Sequence, residues 1–239
     1  MYLQYYLMGI ILLPGLIFAI YAQAKVSKTY GEYRSIHAKS GVKASDFVRE
    51  LLQSSGLENT TVRQISGELT DHFNPSKQEI CLSEDVYNSS SISALGVACH
   101  EFGHALQKKE KYVPYQIRRI LVPVTNFVSN LLWPLVILGL IFNLGVEGGG
   151  LLGDIFLWSG IAVFSLAVLV NLATLPVEFD ASRRALKILS ATGTLDEEEL
   201  DETKEVLNSA ALTYVAALLV SILNLLRFIL VVTRSSRRD

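Results

Sequence analysis

The sequence predicts a mainly α-helical membrane protein, with about four transmembrane helices and a small α+β domain outside the bilayer. Two observations predict this fold class. Half of the 239 residues are hydrophobic and the mean hydropathy is +0.35, which is too apolar for a soluble domain of this length. The apolar residues also fall into four long stretches between polar segments, and each stretch is long enough to cross a bilayer as a helix.

Residues 1–22 form the first predicted transmembrane helix. This stretch lacks a positively charged start and a clear cleavage site, so we expect it to be retained rather than removed as a signal peptide. Residues 120–177 hold the second and third predicted spans, with a tight glycine-rich connection at 146–150 between them. The fourth span is predicted at residues 209–233, and a basic tail follows it at 234–239.

The two polar segments are residues 23–119 and residues 178–208. Two spans separate them, so they are expected on the same side of the membrane. In the first segment the pattern predicts an amphipathic helix between Ser45 and Gly56, and short strands at Thr60–Ile65 and Glu79–Leu82. In the second, Thr194-Leu195-Asp196-Glu197 resembles a capping box and predicts a helix that continues into the fourth span.

A helix predicted from the serine run 89–91 to about Lys109 carries the pattern His100-Glu101-Phe102-Gly103-His104. Residues 107–111 are predicted to form the solvated exit of this helix. With 3.6 residues per turn, His100 and His104 lie on one face and can bind one Zn²⁺ together. Glu101 can take a proton from a water that the metal activates and pass it to a leaving amine. The pattern therefore predicts a hydrolytic zinc site with Glu101 as its general base.

The alternative interpretation of this pattern is a surface helix with two incidental histidines. It is disfavoured because the surrounding residues are apolar and Glu101 is the only formally charged side chain between Val86 and Gln107. A buried carboxylate and two buried imidazoles need partners, which a metal ion would provide. Gly103 in mid-helix costs about 1 kcal/mol relative to alanine, so we expect a neighbouring segment to approach the backbone there.

A catalytic zinc needs a third protein ligand and leaves a fourth position open for water. The remaining histidines are His37 and His72, and the acidic candidates include Glu178 at the end of the third span. On its position alone, Glu178 is equally well explained as a carboxylate at a solvated helix end with Asp180 nearby. The residues by themselves leave both interpretations open.

Two stretches around the histidines, Leu82–Tyr87 and Ser91–Gln107, closely resemble the YugP-type neutral zinc metallopeptidases of bacterial membranes, as do Leu175–Ser182 and Ala210–Ala217. The resemblance covers nearly the whole chain. The family is similar in layout to the HtpX and CAAX prenyl protease group, whose third zinc ligand is the glutamate of a Glu-x-x-x-Asp motif. The resemblance implies a zincin-like domain over residues 23–119, and Glu178 as the third ligand of a gluzincin-type site.

The sequence departs from that wider group at one position. Ser182 stands where the aspartate of Glu-x-x-x-Asp would be. In the group this aspartate supports the site without binding the metal, so the departure leaves the supporting contacts open. Asp180 and Arg183 are the two replacements that the sequence offers.

Two further residues are candidates for contacts with substrate or transition state, His72 and Tyr214. His72 precedes the strand Glu79–Leu82, and in zincins an edge strand beside the active helix binds an extended peptide. The alternative for His72 is a surface histidine paired with Asp71. Tyr214 could stabilise an oxyanion, and the alternative is an interfacial tyrosine near the start of a span.

These observations lead to the hypothesis of a zinc-dependent endopeptidase acting on membrane or membrane-proximal proteins. An intramembrane protease of the site-2 type is disfavoured because the motif helix is too short and too polar at both ends to span. A non-enzymatic, zinc-stabilised membrane adaptor is disfavoured by Glu101, because a structural zinc is closed by four ligands and needs no base. The net charge of −2 gives no case for binding nucleic acid.

The distribution of basic residues predicts the orientation in a bacterial cell membrane. The two polar segments contain 17 Lys and Arg residues, whereas the opposite side has three, all in the tail. The positive-inside rule therefore favours a cytoplasmic catalytic domain, although the basic tail argues the other way. Only two cysteines are present, Cys81 and Cys99, which fits a reducing compartment.

Overall fold

The computed structural model describes residues 9–145 and 150–235, and most of these are helical. The helices in chain order are α1 (Leu13–Tyr33), α2 (Ala44–Ser54), α3 (Glu84–Tyr87), α4 (Ile92–Lys109), α5 (Val113–Gly145), α6 (Gly150–Ala191) and α7 (Glu197–Ser235). The strands are β1 (Thr61–Ile65), β2 (His72–Asn74) and β3 (Glu79–Ser83). The chain forms two compact units, one made of residues 22–116 and 175–213, the other of residues up to 21, 117–174 and from 214 onward.

The first unit contains a three-stranded sheet in the order β1-β3-β2. Strand β1 is parallel to β3 and β2 is antiparallel to it. Both strands predicted from the sequence are confirmed. The prediction that Glu79–Leu82 is an edge strand is wrong, because β3 lies at the centre of the sheet. Strand β2 was not predicted, since a run of three residues is too short to show the alternation that identifies a strand. The edges of the sheet are therefore β1 and β2.

The core of this unit forms between the amphipathic helix α2 and helix α4. The apolar face of α2 is buried, and its residues recur at helical spacing at Phe47, Val48, Leu51 and Leu52. They belong to the same cluster as Phe102 of α4. The helix ends before Gly56, whose φ of +62° is a conformation that residues other than glycine rarely adopt.

Helix α4 begins and ends as the sequence predicts. The hydroxyl of Ser91 accepts a hydrogen bond from the backbone N–H of Ala94 at 3.2 Å, which satisfies one donor of the first turn. The predicted capping box at the start of α7 is wrong by two residues. Asp196 Oδ1 accepts from the backbone N–H of Glu199, and Glu199 Oε2 accepts from that of Asp196, at 3.0 Å each.

Three helices in the described part of the chain are long and apolar enough to cross a membrane, and they coincide with three of the four predicted spans. They correspond to the segments Val113–Gly139, Gly150–Ala191 and Glu197–Thr233. The first predicted span begins within residues 1–8, which lie outside the described residues, and it stays a prediction. The connection at 146–149 and the tail from 236 to 239 lie outside them too.

Helix α6 continues well past the predicted end of the third span at Val177. It contains 42 residues, which at 1.5 Å per residue gives a length of about 63 Å. The hydrocarbon layer of a bilayer is about 30 Å thick, so only part of this helix fits within it. The sequence change at Glu178 therefore marks a change of surroundings within one helix and is not a helix end.

Candidate metal centre

Three potential ligands converge where helix α4 meets the polar end of α6. His100 Nε2 lies 3.2 Å from Glu178 Oε2, and His104 Nε2 lies 3.6 Å from the same oxygen. One potential ligand atom from each of the three residues lies within 4.8 Å of the other two. We refer to these three residues as the His-His-Glu cluster. It brings together the two ligands predicted from the motif and the third implied by the resemblance.

The donor set and its spacing fit a zinc ion. Zinc binds imidazole nitrogen and carboxylate oxygen at about 2.0–2.2 Å, and a tetrahedral arrangement then separates neighbouring donors by about 3.4 Å. The two nitrogen–oxygen distances of the cluster, 3.2 and 3.6 Å, lie on either side of that value. Three protein ligands also leave one tetrahedral position for water, as in catalytic rather than structural zinc sites.

The candidate third ligand, Glu178, is buried within helix α6. Its exposed fraction is 2%, and the helix continues for 13 residues beyond it, to Ala191. The interpretation as a solvated helix end is therefore wrong. A carboxylate removed from water needs charged or hydrogen-bonding partners, and the two imidazoles face it.

Close packing of α4 against α6 depends on Gly103. A Cβ atom at this position would lie 2.9 Å from the backbone oxygen of Ala181 and 3.2 Å from its Cα. The expected approach of a neighbouring segment to this glycine is thus confirmed. Because Ala181 lies between Glu178 and Ser182 on α6, the same contact brings both of these side chains to the histidines.

Ser182 contacts the site directly. Its Oγ lies 3.1 Å from His100 Nδ1, and with Nδ1–H as the donor the Nε2 lone pair of His100 faces Glu178 and is available to a metal. The serine therefore occupies the supporting position that an aspartate has in the wider group. Of the two replacements considered, Asp180 contacts Gln107 and Arg183 is exposed.

Gln107 contacts the second histidine. Its Oε1 lies 2.9 Å from His104 Nδ1. The sequence assigns Gln107 to the solvated exit of the helix, and this is wrong because the residue has an exposed fraction of 0%. The signal was present in the spacing, since residues three apart on a helix share a face. Ser182 lies four residues after Glu178 and carries the same signal.

Electrostatic effects relate Glu101 to the cluster. Glu101 is 8% exposed and follows His100 on α4. Burial raises the pKa of the Asp71 carboxyl, hydrogen bonds from Ser83 lower it, and the charge of Glu101 raises it further. Burial by itself would lower the pKa of His104, but the bond and charge of Glu178, with a contribution from Glu101, raise it on balance. Glu101 is thus close enough to act electrostatically on a cluster histidine.

Comparison with known proteins relates this geometry to a family. Residues 8–233 match the sequence profile of a family described as "Putative neutral zinc metallopeptidase". The chain belongs to this family. A relative from Bacillus subtilis (strain 168), described as "Putative membrane protease YugP", is 42% identical over 214 residues, which are 89% of this chain and 91% of the relative. No solved structure matches the chain. The family and its metal agree with the donor set of the His-His-Glu cluster.

The two weaker candidates, His72 and Tyr214, belong to different compact units of the chain. His72 lies in β2 and is exposed, and its Nδ1–H donates to the backbone oxygen of Thr70 at 2.9 Å. The alternative for His72 is right in its exposure at the surface. The expected hydrogen-bond pairing differs, because His72 bonds the backbone of Thr70, while Asp71 accepts from the backbone and side chain of Ser83. Tyr214 belongs to the other unit, and its role stays a prediction.

Proposed function

We propose that this protein is a zinc-dependent endopeptidase of the bacterial cell membrane that hydrolyses peptide bonds of membrane or membrane-proximal proteins. The observation that supports it most is the convergence of the His-His-Glu cluster beside the buried carboxylate of Glu101. Membership of a zinc metallopeptidase family supports the chemistry. The three apolar helices and the relative described as a membrane protease support the location.

In this proposal each residue of the motif has a chemical role. His100, His104 and Glu178 would hold the metal. When bound, a zinc ion lowers the pKa of water and polarises the carbonyl that is attacked. Glu101 accepts the proton that water loses as its oxygen bonds to the carbonyl carbon, and it returns that proton to the amine nitrogen as the C–N bond breaks.

The sheet offers a place for an extended substrate at β2. This strand is an edge of the sheet, and within the described residues it pairs with β3 alone. The turn after β2 is held to the end of the motif helix, because Lys108 Nζ donates to the backbone oxygen of Pro75 at 2.5 Å. We propose that the free edge of β2 binds the peptide as an added strand, with His72 among its contacts. Contact of Tyr214 with the transition state is a weaker proposal.

We also propose that the catalytic unit faces the cytoplasm. This rests on the excess of Lys and Arg in the two polar segments, residues 23–119 and 178–208. Apart from a few residues at their ends, these segments coincide with the compact unit made of residues 22–116 and 175–213. Accessibility of single cysteines introduced at exposed Arg63 and Lys77 would test it. Labelling by a membrane-impermeant reagent in intact cells would contradict a cytoplasmic location, and labelling only after permeabilisation would support it.

The central experiment compares the wild-type chain with Glu101→Gln and Glu178→Ala in detergent or proteoliposomes. Glu101→Gln should retain zinc and lose about 10²–10⁴-fold in cleavage of a quenched-fluorescent unfolded protein, because only the base is removed. Glu178→Ala should lose zinc as well as activity. Equal cleavage by wild type and Glu101→Gln would contradict the mechanism. A fourth protein ligand in the metal-loaded wild type, without cleavage, would favour the adaptor instead.

Natural substrates can be sought with the same pair of proteins. Cells that express Glu101→Gln should accumulate intact membrane proteins that cells with the wild-type enzyme cut, and a proteome-wide comparison of peptides identifies them. Since the variant differs by one amide group, the comparison is controlled for expression and membrane load. An identical peptide pattern in the two strains would argue against endopeptidase activity on cellular proteins.

A further inference from the structure

Gln107 is placed between the metal cluster and a set of groups from helix α6. Its Oε1 lies 2.9 Å from His104 Nδ1. Its Nε2 donates one hydrogen bond to the backbone oxygen of Val177 at 2.8 Å and another to Asp180 Oδ2 at 2.9 Å. The side chain is fully buried, so water does not substitute for any of these partners.

These contacts determine which way the amide points. A glutamine side chain has one acceptor end and one donor end, and the two can exchange by a flip. Both the Val177 carbonyl and the Asp180 carboxylate only accept hydrogen bonds, so the NH₂ end of Gln107 must face them. A flipped amide would place the Gln107 oxygen against the Val177 and Asp180 oxygens, with no hydrogen between them and no water to intervene. The carbonyl end is therefore directed at His104.

The orientation of the amide in turn determines the tautomer of His104. The carbonyl oxygen of Gln107 only accepts, so His104 Nδ1 carries the hydrogen that it donates. In the neutral imidazole the other nitrogen, Nε2, then has its lone pair free. That nitrogen is the one that lies 3.6 Å from Glu178 Oε2 in the cluster.

Asp180 is itself held in place from outside. Its Oδ2 accepts from Arg184 Nε at 2.6 Å, one turn further along α6. Arg184 also donates to Glu110 Oε2 at 2.7 Å, just past the end of α4. The contacts thus run from Glu110, just past the end of α4, through Arg184 and Asp180 of α6. From Asp180 they return to α4 at Gln107, which contacts His104.

We propose that Gln107 is a positioning residue for zinc binding, and that Asp180, held by Arg184, fixes the direction of its amide. This inference rests on the zinc site proposed above and adds the groups that prepare one ligand for the metal. We call Gln107, Asp180 and Arg184 the His104 relay. Contacts of this kind orient a ligating histidine and select its tautomer before the metal arrives.

The test is the zinc affinity of the full-length protein in detergent, measured by competition with a chromophoric chelator. Gln107→Leu removes the acceptor for His104 and should raise the zinc Kd by about 10–100-fold. Asp180→Ala should raise it less, and Asp180→Asn should restore much of the affinity because it keeps an acceptor for the Gln107 amide. The double variant Gln107→Leu/Asp180→Ala should bind no more weakly than Gln107→Leu, because both act through one contact.

A matched control separates positioning from folding. Thr203→Val removes a buried hydroxyl in the same unit that donates to the backbone oxygen of Glu199 at 2.8 Å and lies 3.5 Å from that of Ile92, the first residue of α4. It should lower the unfolding temperature of the metal-free protein and leave the zinc Kd unchanged. Gln107→Leu should raise the zinc Kd, and this rise should be larger than any change that Thr203→Val causes in the zinc Kd.

The outcomes distinguish this inference from the proposed function. If the wild type binds no zinc, the proposed function itself fails. If the wild type binds zinc and Gln107→Leu binds it within about twofold, the relay is wrong while the peptidase proposal stands. Should Gln107→Leu not fold, the pair Asp180→Ala and Asp180→Asn decides: equal affinities for those two variants would overturn the relay. Independent, multiplying effects of Gln107 and Asp180 would overturn the link between them.

Discussion

Helices α4 and α6 contribute to the metal site in different ways. Helix α4 provides His100 and His104, whose relative placement follows from the helical repeat alone. Helix α6 provides Glu178, which is 78 residues away from His100 in the chain and reaches it only through packing. Two candidate ligands are therefore placed by the motif itself, whereas the third depends on how closely two helix backbones approach.

Among substitutions at the contact between α4 and α6, we expect the greatest effect from Gly103→Ala. In Gly103→Ala the new Cβ would lie 2.9 Å from the backbone oxygen of Ala181, so the two helices must separate. Misplacement of a catalytic group by about 1 Å can cost about 100-fold in rate, and we expect a loss of peptidase activity of that size. Zinc affinity should fall as well, because Glu178 moves with Ala181. Activity and chelator competition measure the two effects.

Gly96→Ala is the matched control for this substitution. Its Cβ would lie 2.6 Å from a side-chain methyl carbon of Thr203, also within the first unit but toward the start of α4. Overpacking of this kind costs about 1–3 kcal/mol in the free energy of unfolding. The control should thus lose stability while zinc affinity changes little. Equal loss of zinc affinity in Gly96→Ala and Gly103→Ala would contradict a local role for the contact at Gly103.

The same comparison explains what the sequence could and could not predict. Helix α4, its serine cap and the two histidines follow from local spacing and composition, and each is confirmed in position. Gly103 gave a further signal, because a glycine in mid-helix needs a reason and Ala181 provides it. Such features depend on residues within a few turns of one another, and for that reason a single sequence contains them.

The features that could not be predicted all depend on contacts between distant segments. Glu178 had two equally good interpretations from its position in the sequence. Its burial in α6 excludes the solvated helix end, and only the family resemblance had favoured a metal ligand. Gln107 was assigned to solvent because four charged or polar residues follow it, yet α6 covers it completely. Strand β2 was missed because its three residues gain their structure from pairing with β3.

A second prediction concerns the proton that competes with the metal. In the metal-free protein burial disfavours the charged imidazole of His104, but Glu178 and Glu101 raise its pKa on balance. Zinc needs the neutral imidazole, so it must displace this proton, and its affinity falls by up to about tenfold per pH unit below that pKa. The contribution of this group to the stability of the metal-free fold has the opposite sign, since it is present at low pH and lost as pH rises through the raised pKa.

The rise in unfolding temperature on adding zinc should therefore grow as pH increases from about 6.5, the ordinary imidazole pKa, through the raised pKa of His104. Thermal unfolding with zinc and with chelator, at a series of pH values, gives both signs in one experiment. The pH dependence would thus report on the contact between the two helices, because a carboxylate on α6 raises the pKa of a histidine on α4. A zinc-induced shift that is constant over this range would contradict it.

The smallest predicted effect concerns the support that α6 gives to His100. Ser182→Ala removes the hydroxyl that lies 3.1 Å from His100 Nδ1 and should lower zinc affinity by about tenfold, the lower end for such contacts. Ser182→Asp should recover the loss, because a carboxylate is the stronger acceptor for an imidazole N–H. Ser209→Ala is the control, since it deletes a buried hydroxyl on α7 that donates to the backbone oxygen of Val206 at 2.7 Å. Zinc affinity equal in Ser182→Ala and wild type would mean that packing of α6 alone orients His100, and that the serine fills space where an aspartate would otherwise act.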